Sequence, residues 1–294
     1  MGATQGQEVM KLFVTGAGGQ LGHELVSAIR ASGNEAIATT HAQLDITDEE
    51  AVKVAIGSAQ PDVVIHAAAW TAVDACEGDA TKAMNVNGTA SKYVADAAHA
   101  VGARVVYIST DYVFDGTKPT PYNEDDVPNP QCVYGASKLA GERAMGADDA
   151  IVRISWVCGF YGANMVKTIL KLGATMPELK FVDDQIGNPT FADDAARAIV
   201  EIATRGLGGI WHVTNQGVVS WYEFAREVLL TAGMDAQKVK PISTRDLQPP
   251  RPAQRPANSV LHDGRLGQAG IAVLPDFRQP LARLVRRLLA ETGE

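Results

Sequence analysis

A chain of 294 residues, 46% hydrophobic and 20% charged, buries a sizeable core as one large domain or one and a half, which excludes disordered and fibrous classes. Its 34 acidic against 26 basic residues give a formal net charge of −8, so the broad basic footprint of a nucleic-acid or anionic-membrane binder is missing. Cys76, Cys132 and Cys158 have the spacing of neither a zinc cluster nor a redox pair, and the polar start of residues 1–8 lacks an apolar signal core. No apolar run approaches the roughly 18–20 residues that span a bilayer, so the expectation is a soluble protein of the reducing cytoplasm.

In chain order, short β-branched runs alternate with amphipathic stretches, the signal of βαβ units and a parallel sheet covered on both faces. Strands are expected over residues 11–15, 35–38, 62–66, 104–109 and 150–155, and helices over 21–31, 47–58, 80–100 and 134–144. Thr47 and Glu50 have capping-box spacing at the second helix. Beyond Trp156 come a helix over 165–172, a strand over 179–182, a helix over 191–204, a strand over 209–213 and a capped helix over 220–232. Residues 248–256 hold four prolines and are extended. The fold class is therefore α/β: a Rossmann-type doubly wound parallel sheet over residues 10–160, with 186–213 returning to it, and a smaller C-terminal substrate-binding domain drawn mainly from 161–294.

The first strand runs into Gly16-Ala17-Gly18-Gly19-Gln20-Leu21-Gly22, which opens the first helix. Glycines there permit a tight turn and close approach of backbone to a pyrophosphate, and the helix start offers free N–H groups to it. Gly16, Gly19 and Gly22 are the candidate cradle of a nicotinamide dinucleotide. At the end of the second strand, Thr39-Thr40-His41 supplies neither the carboxylate that binds a ribose 2′-hydroxyl nor the arginine that accepts a 2′-phosphate. With no carboxylate to repel that phosphate, NADPH is favoured, and NADH stays possible. Asp45-Ile46 borders the adenine ring or merely leads a helix.

Tyr134 and Lys138 stand four residues apart, hence on one face of the fourth expected helix. A phenol is a poor acid–base catalyst at neutral pH, and a neighbouring ammonium favours its phenolate. Tyr134 then protonates a carbonyl oxygen as hydride arrives, with the Thr110 hydroxyl at the end of the fourth strand offered to the same oxygen. His66 ends an apolar strand without a partner at ligand spacing, so it is given no catalytic or metal role, and no metal ligand set is visible.

The segment Ser109-Thr110-Asp111-Tyr112-Val113-Phe114-Asp115-Gly116, followed by Tyr134-Gly135-Ala136-Ser137-Lys138, resembles the extended short-chain dehydrogenases, and within them the dTDP-4-dehydrorhamnose reductase family. The likeness extends through residues 66–74, Asn85-Val86-Asn87-Gly88-Thr89, Val152-Arg153-Ile154-Ser155-Trp156, 182–190, 220–225 and 255–259. It implies NAD(P)H-dependent reduction of the 4-keto group of a nucleotide sugar. Tyr134 would be the proton donor, Lys138 would orient it and hold the nicotinamide ribose, and Thr110 would tune the substrate oxygen. Gly19, Gln20, Leu21, Asp45, Ile46, Ala68, Ala69 and Thr71 would touch the cofactor. Asp111 and Trp156 would line the sugar pocket, and Arg255 either stands near the diphosphate or caps a proline-rich loop. Cys158 and Met165 depart from the tyrosine and phenylalanine expected of such sequences. A homodimer is possible, as is Mg2+ at a subunit contact, though no motif supports the metal. Another nucleotide-sugar epimerase or reductase, and a non-catalytic subunit similar to the regulatory partner of methionine adenosyltransferase, are the alternatives.

Overall fold

The structure is a computed structural model that describes residues 9–292; the polar start at 1–8 lies outside them. The elements alternate as β1 (Lys11–Thr15), α1 (Gln20–Ala31), β2 (Glu35–Thr39), α2 (Glu49–Ala59) and β3 (Val63–His66). Two short helices, α3 (Val73–Gly78) and α4 (Ala80–Met84), a π-turn (Asn85–Thr89) and α5 (Ala90–Ala100) lead to β4 (Arg104–Thr110), α6 (Val133–Glu142) and β5 (Ala150–Ile154).

With the late strand Gly209–His212 these form one six-stranded sheet, ordered β2, β1, β3, β4, β5, Gly209–His212 and parallel throughout. Its inner strands are buried apolar runs because helices cover both faces. On one face α1 and Ala192–Thr204 pack over Leu12, Val14, Ile65 and Val152; on the other α2 and α5 cover Phe13, Val64, Val105 and Tyr107. The chain order reverses between β1 and β3. In open α/β sheets ligands bind in the crevice at such a switch point, beyond the carboxyl ends of the strands.

A second apolar cluster joins Val166 and Ile169, Phe224 and Val228, and Leu281 and Val285 from the helices Met165–Thr175, Trp221–Thr231 and Arg278–Thr292. Beside it, Leu179–Val182 pairs in parallel with Val239–Ile242. The Trp221–Thr231 helix, expected to be capped, carries a full capping box of Ser220 and Glu223. The box expected at Thr47 is not formed. Asp48 caps α2 by accepting from Ala51 N, and Thr47 instead donates to Asp45, since an Asp one residue nearer the helix is an equally good cap.

The expected single helix over 80–100 is interrupted by the π-turn. Asn87 inside it is fully buried, accepts from Trp70 N at 2.8 Å, and donates to Trp70 O and Ser137 Oγ at 3.0 Å each. The side chain thus ties the loop after β3 to α6, and one extra residue in the turn aims it there. No helix among the described residues is long and apolar enough to cross a membrane.

Candidate active site

Two contiguous clefts run along the carboxyl ends of the strands, and a third adjoins the first. The first, about 470 Å³, lies between the glycine loop and the ends of β4 and α6, and is lined by Gly19, Gln20, Thr71, Thr110, Asp111, Tyr134 and Trp156 among others. The second, about 700 Å³, shares Gly16, Gly19, Ala67 and Ala69 with it and continues to Thr40, His41, Ile46, Ala68 and Lys82. The third, about 260 Å³, shares Tyr112 and is bounded by Lys180, Trp221, Arg251 and Arg255.

The glycine loop fits a dinucleotide on its own geometry. Gly16 has φ +67°, and a Cβ on it would stand 2.7 Å from Ala68 Cα; a Cβ on Gly22 would stand 2.2 Å from Gly16 O. Those two positions therefore require glycine and bring the loops after β1 and β3 together around a shallow floor. Above it the start of α1 presents its unpaired N–H groups, the arrangement that receives a pyrophosphate. Leu21 and Gly22 line this floor. Gln20 lines it too, but its amide is already committed: Nε2 donates to Val157 O at 3.0 Å and Oε1 accepts from Asn164 at 2.8 Å.

At the far end the structure separates Asp45 from Ile46. Ile46 is buried against the second cleft, whereas the exposed Asp45 carboxylate accepts from Thr47 N and Oγ1, bonds that hold its pKa below the usual range. Thr39 donates to Val14 O at 3.2 Å, while the Thr40 methyl lies against Gly18 and faces the cleft with His41. Lys82, whose ammonium stands 4.6 Å over the Trp70 ring, is a cation on this wall that the strand-end rule does not reach.

At the first cleft, β4 delivers Thr110 and Asp111, and α6 delivers Tyr134. The helix approaches closely because Gly141 leaves room for Tyr107: a Cβ there would meet Tyr107 Oη at 2.1 Å. Thr110 Oγ1 donates to Asp111 Oδ1 at 2.9 Å and receives Tyr112 N. Burial raises the Asp111 carboxyl to about 7, with the Thr110 hydroxyl opposing. Its Oδ2 has no hydrogen-bond partner among the described residues.

The expected depression of Tyr134 by Lys138 is absent. Burial pushes the phenol well up and the nearby Asp111 carboxyl adds to this, with only the Thr110 hydroxyl pulling it down. Lys138 is itself buried, and its ammonium lies 4.1 Å from the centre of the Tyr107 ring. Burial lowers it to about 7, with Glu142 opposing. Tyr134 is thus a protonated phenol at neutral pH, the form a proton donor needs, with the cation one turn along its helix.

Trp156, in the bend two residues beyond β5, adopts the left-handed region at φ +46°, and its ring stacks on Trp221 at 3.7 Å and 9°. Such a conformation in a large side chain costs of order 1–3 kcal/mol and persists where surroundings over-determine it. Arg255 reaches the third cleft but is held by Asp74 at 2.8 and 2.9 Å, an ion pair that brings Asp74 down to about 2. Asn258 instead secures the segment between β4 and α6, donating to Lys118 O and Thr120 O. Cys158 is buried in the second core, and Met165 lines the third cleft. His66 is buried, bonded to Thr15 Oγ1 and Ser91 Oγ, and kept neutral by burial, which lowers it to about 3. Among the described residues no group of three or more His, Cys, Asp or Glu is placed to hold a metal ion.

Residues 10–290 match the family model described as the RmlD substrate binding domain. The spore coat polysaccharide biosynthesis protein SpsK of Bacillus subtilis is 43% identical, over 89% of this chain and 92% of its own. The dTDP-4-dehydrorhamnose reductase of Mycobacterium tuberculosis is 41% identical, over 92% and 91%. Among solved structures, the dTDP-4-dehydrorhamnose reductase of Bacillus anthracis in complex with NADP superposes with a TM-score of 0.90 at 36% identity, covering 95% of this chain and 99% of that one. A UDP-glucose 4-epimerase from Thermus thermophilus, at 22% identity and a TM-score of 0.81, shares the fold. With the family model spanning nearly the whole chain and relatives of about 40% identity covering most of it, the chain belongs to the dTDP-4-dehydrorhamnose reductase (RmlD) family.

Proposed function

We propose that the protein reduces the 4-keto group of a dTDP-sugar, converting dTDP-4-dehydro-L-rhamnose to dTDP-L-rhamnose with NADPH. The observation that carries this reading is the convergence of the Tyr134 phenol, the Thr110 hydroxyl and the Asp111 carboxyl on one cleft whose opposite wall is the glycine cradle. When bound, the nicotinamide cofactor supplies the hydride. Tyr134 donates the proton to the carbonyl oxygen, and the Lys138 ammonium stabilises the phenolate left behind. Thr110 holds that oxygen, and Asp111, with its unpaired Oδ2, accepts or donates a hydrogen bond to a sugar hydroxyl. Trp156 closes the sugar end.

The third cleft supports a nucleoside diphosphate tail: Lys180, Arg251 and Arg255 line it, the single Asp74 carboxylate shared by the two arginines leaves an excess of positive charge there, and Trp221 and Phe181 offer faces for a base. The free, buried thiols of Cys76, Cys132 and Cys158 suit a reducing compartment, in keeping with a cytoplasmic enzyme. NADPH oxidation followed with a panel of 4-keto sugars on dTDP, UDP and GDP tests the assignment. Turnover confined to the dTDP compound supports it, and turnover of the UDP or GDP compounds alone refutes the substrate.

Cofactor preference should be shallow. Thr40, not Thr39, faces the cleft, and Lys82 adds a cation to its lining. Thr40→Asp is expected to lower the NADPH-to-NADH ratio of kcat/KM by about ten- to hundredfold, roughly 1–3 kcal/mol for repelling a phosphate while gaining a bond to the ribose hydroxyl. Steady-state kinetics with both cofactors checks this. An unaltered ratio would mean that selection is made elsewhere.

A further inference from the structure

Glu142 ends α6 one turn beyond Lys138 and is buried. Its carboxylate is taken up by two other elements. Oε1 accepts from the Ser109 hydroxyl at 2.5 Å and from Arg153 Nε at 2.9 Å, and Oε2 accepts from Arg153 Nη2 at 2.7 Å. Ser109 is the residue before Thr110 on β4, and Arg153 lies on β5 three residues before Trp156. The two charged side chains are only 4% and 1% exposed. A buried ion pair is seldom more stabilising than apolar side chains of the same volume, so stability alone does not account for it. Its position does, because it is where the three elements that carry the site meet.

We propose that Glu142 is a positioning residue of the reaction: it locks α6, β4 and β5 together so that Tyr134, Thr110 and Trp156 converge, and it balances the buried charge of Lys138. The inference rests on the reductase reading above. Around the Lys138 ammonium stand His66 from β3, neutral in its buried site, and the Tyr107 ring from β4. Tyr134 and Glu142 share its helix, and Arg153 from β5 is paired to Glu142. Of these groups Glu142 carries the negative charge. Without it, desolvation acts on Lys138 unopposed and the ammonium loses its proton at lower pH.

The test is kcat for dTDP-4-keto-sugar reduction as a function of pH in wild type, Glu142→Gln, Glu142→Asp and Ser109→Ala. Glutamine keeps the shape without the charge: kcat should fall about ten- to hundredfold, as misplacement of reacting groups by a fraction of an ångström does, and the alkaline fall in rate should move down by about one pH unit or more. Aspartate restores the charge but not the reach, so it should return the pH profile while kcat stays low. Ser109→Ala leaves the ion pair intact and cuts only its tie to β4; an unshifted profile with kcat down about tenfold is expected. Folded Glu142→Gln with wild-type kcat and profile would overturn the proposal. Should that variant not fold, wild-type kcat in Ser109→Ala overturns it. A wild type inactive on every 4-keto sugar would instead overturn the reductase reading itself.

Discussion

Tyr134→Phe is expected to lower kcat by about 10²–10⁴-fold, the usual worth of a positioned general acid, while leaving cofactor affinity nearly unchanged. Phenylalanine keeps the ring, its edge contact with Tyr112 at 5.5 Å and 75°, and its place in the apolar cluster with Cys76 and Cys132. Only the hydroxyl is removed. Asp111 is the competing acid, since burial holds it near 7 and it lines the same cleft. If Asp111 supplied the proton, Tyr134→Phe would stay within about threefold of wild type, and Asp111→Asn would carry the large loss instead. Single-turnover rates for both variants at neutral pH separate the two.

Gly19→Glu is expected to weaken NADPH binding by about two orders of magnitude or more in a folded protein. Gly19 caps α1 at φ −80°, a conformation open to any residue, and a Cβ there would come 3.2 Å from Gly16 O, a contact that a small shift relieves. A carboxylate at a helix start is itself favourable, by about 0.3–1 kcal/mol, so the fold should hold. The same carboxylate takes the N–H groups that a pyrophosphate would use and repels it. Losing two hydrogen bonds to a charged group, at roughly 1.5–3 kcal/mol each, gives the expected factor. Calorimetric titration with NADPH checks it. Unchanged affinity would reduce the loop to a turn. Gly22 would be a poor choice for this test, since its Cβ would strike Gly16 O at 2.2 Å and disturb the loop itself.

The sheet was legible because parallel strands buried on both faces read as continuous β-branched runs, and all six of its strands were expected within one residue of their observed ends. The glycine loop and the Tyr134–Lys138 pair were legible because each needs particular residue types at a fixed spacing. What pattern could not show is what depends on partners distant in sequence. The commitment of Asn87 to Trp70 and Ser137 breaks a helix that periodicity alone continues. Glu142 reads as an ordinary helix glutamate until Arg153 and Ser109 are brought to it. Lys82 reaches the cofactor cleft from α4, outside the strand end where cofactor selection is usually sought. Two elements were missed because they contain proline. Pro241 sits in Val239–Ile242, an outer strand of a two-stranded pair, and Pro280 in the first turn of Arg278–Thr292, both places where its missing N–H costs little.

The central claim, net reduction at the sugar's C4 by hydride from NADPH, is tested most directly with NADPH deuterated at the nicotinamide C4 and dTDP-4-dehydro-L-rhamnose as substrate. The account predicts one NADPH oxidised for each sugar reduced, with deuterium at C4 of the dTDP-L-rhamnose formed. Reduced sugar without deuterium at C4, or no oxidation of NADPH by a protein that binds both ligands, would contradict it.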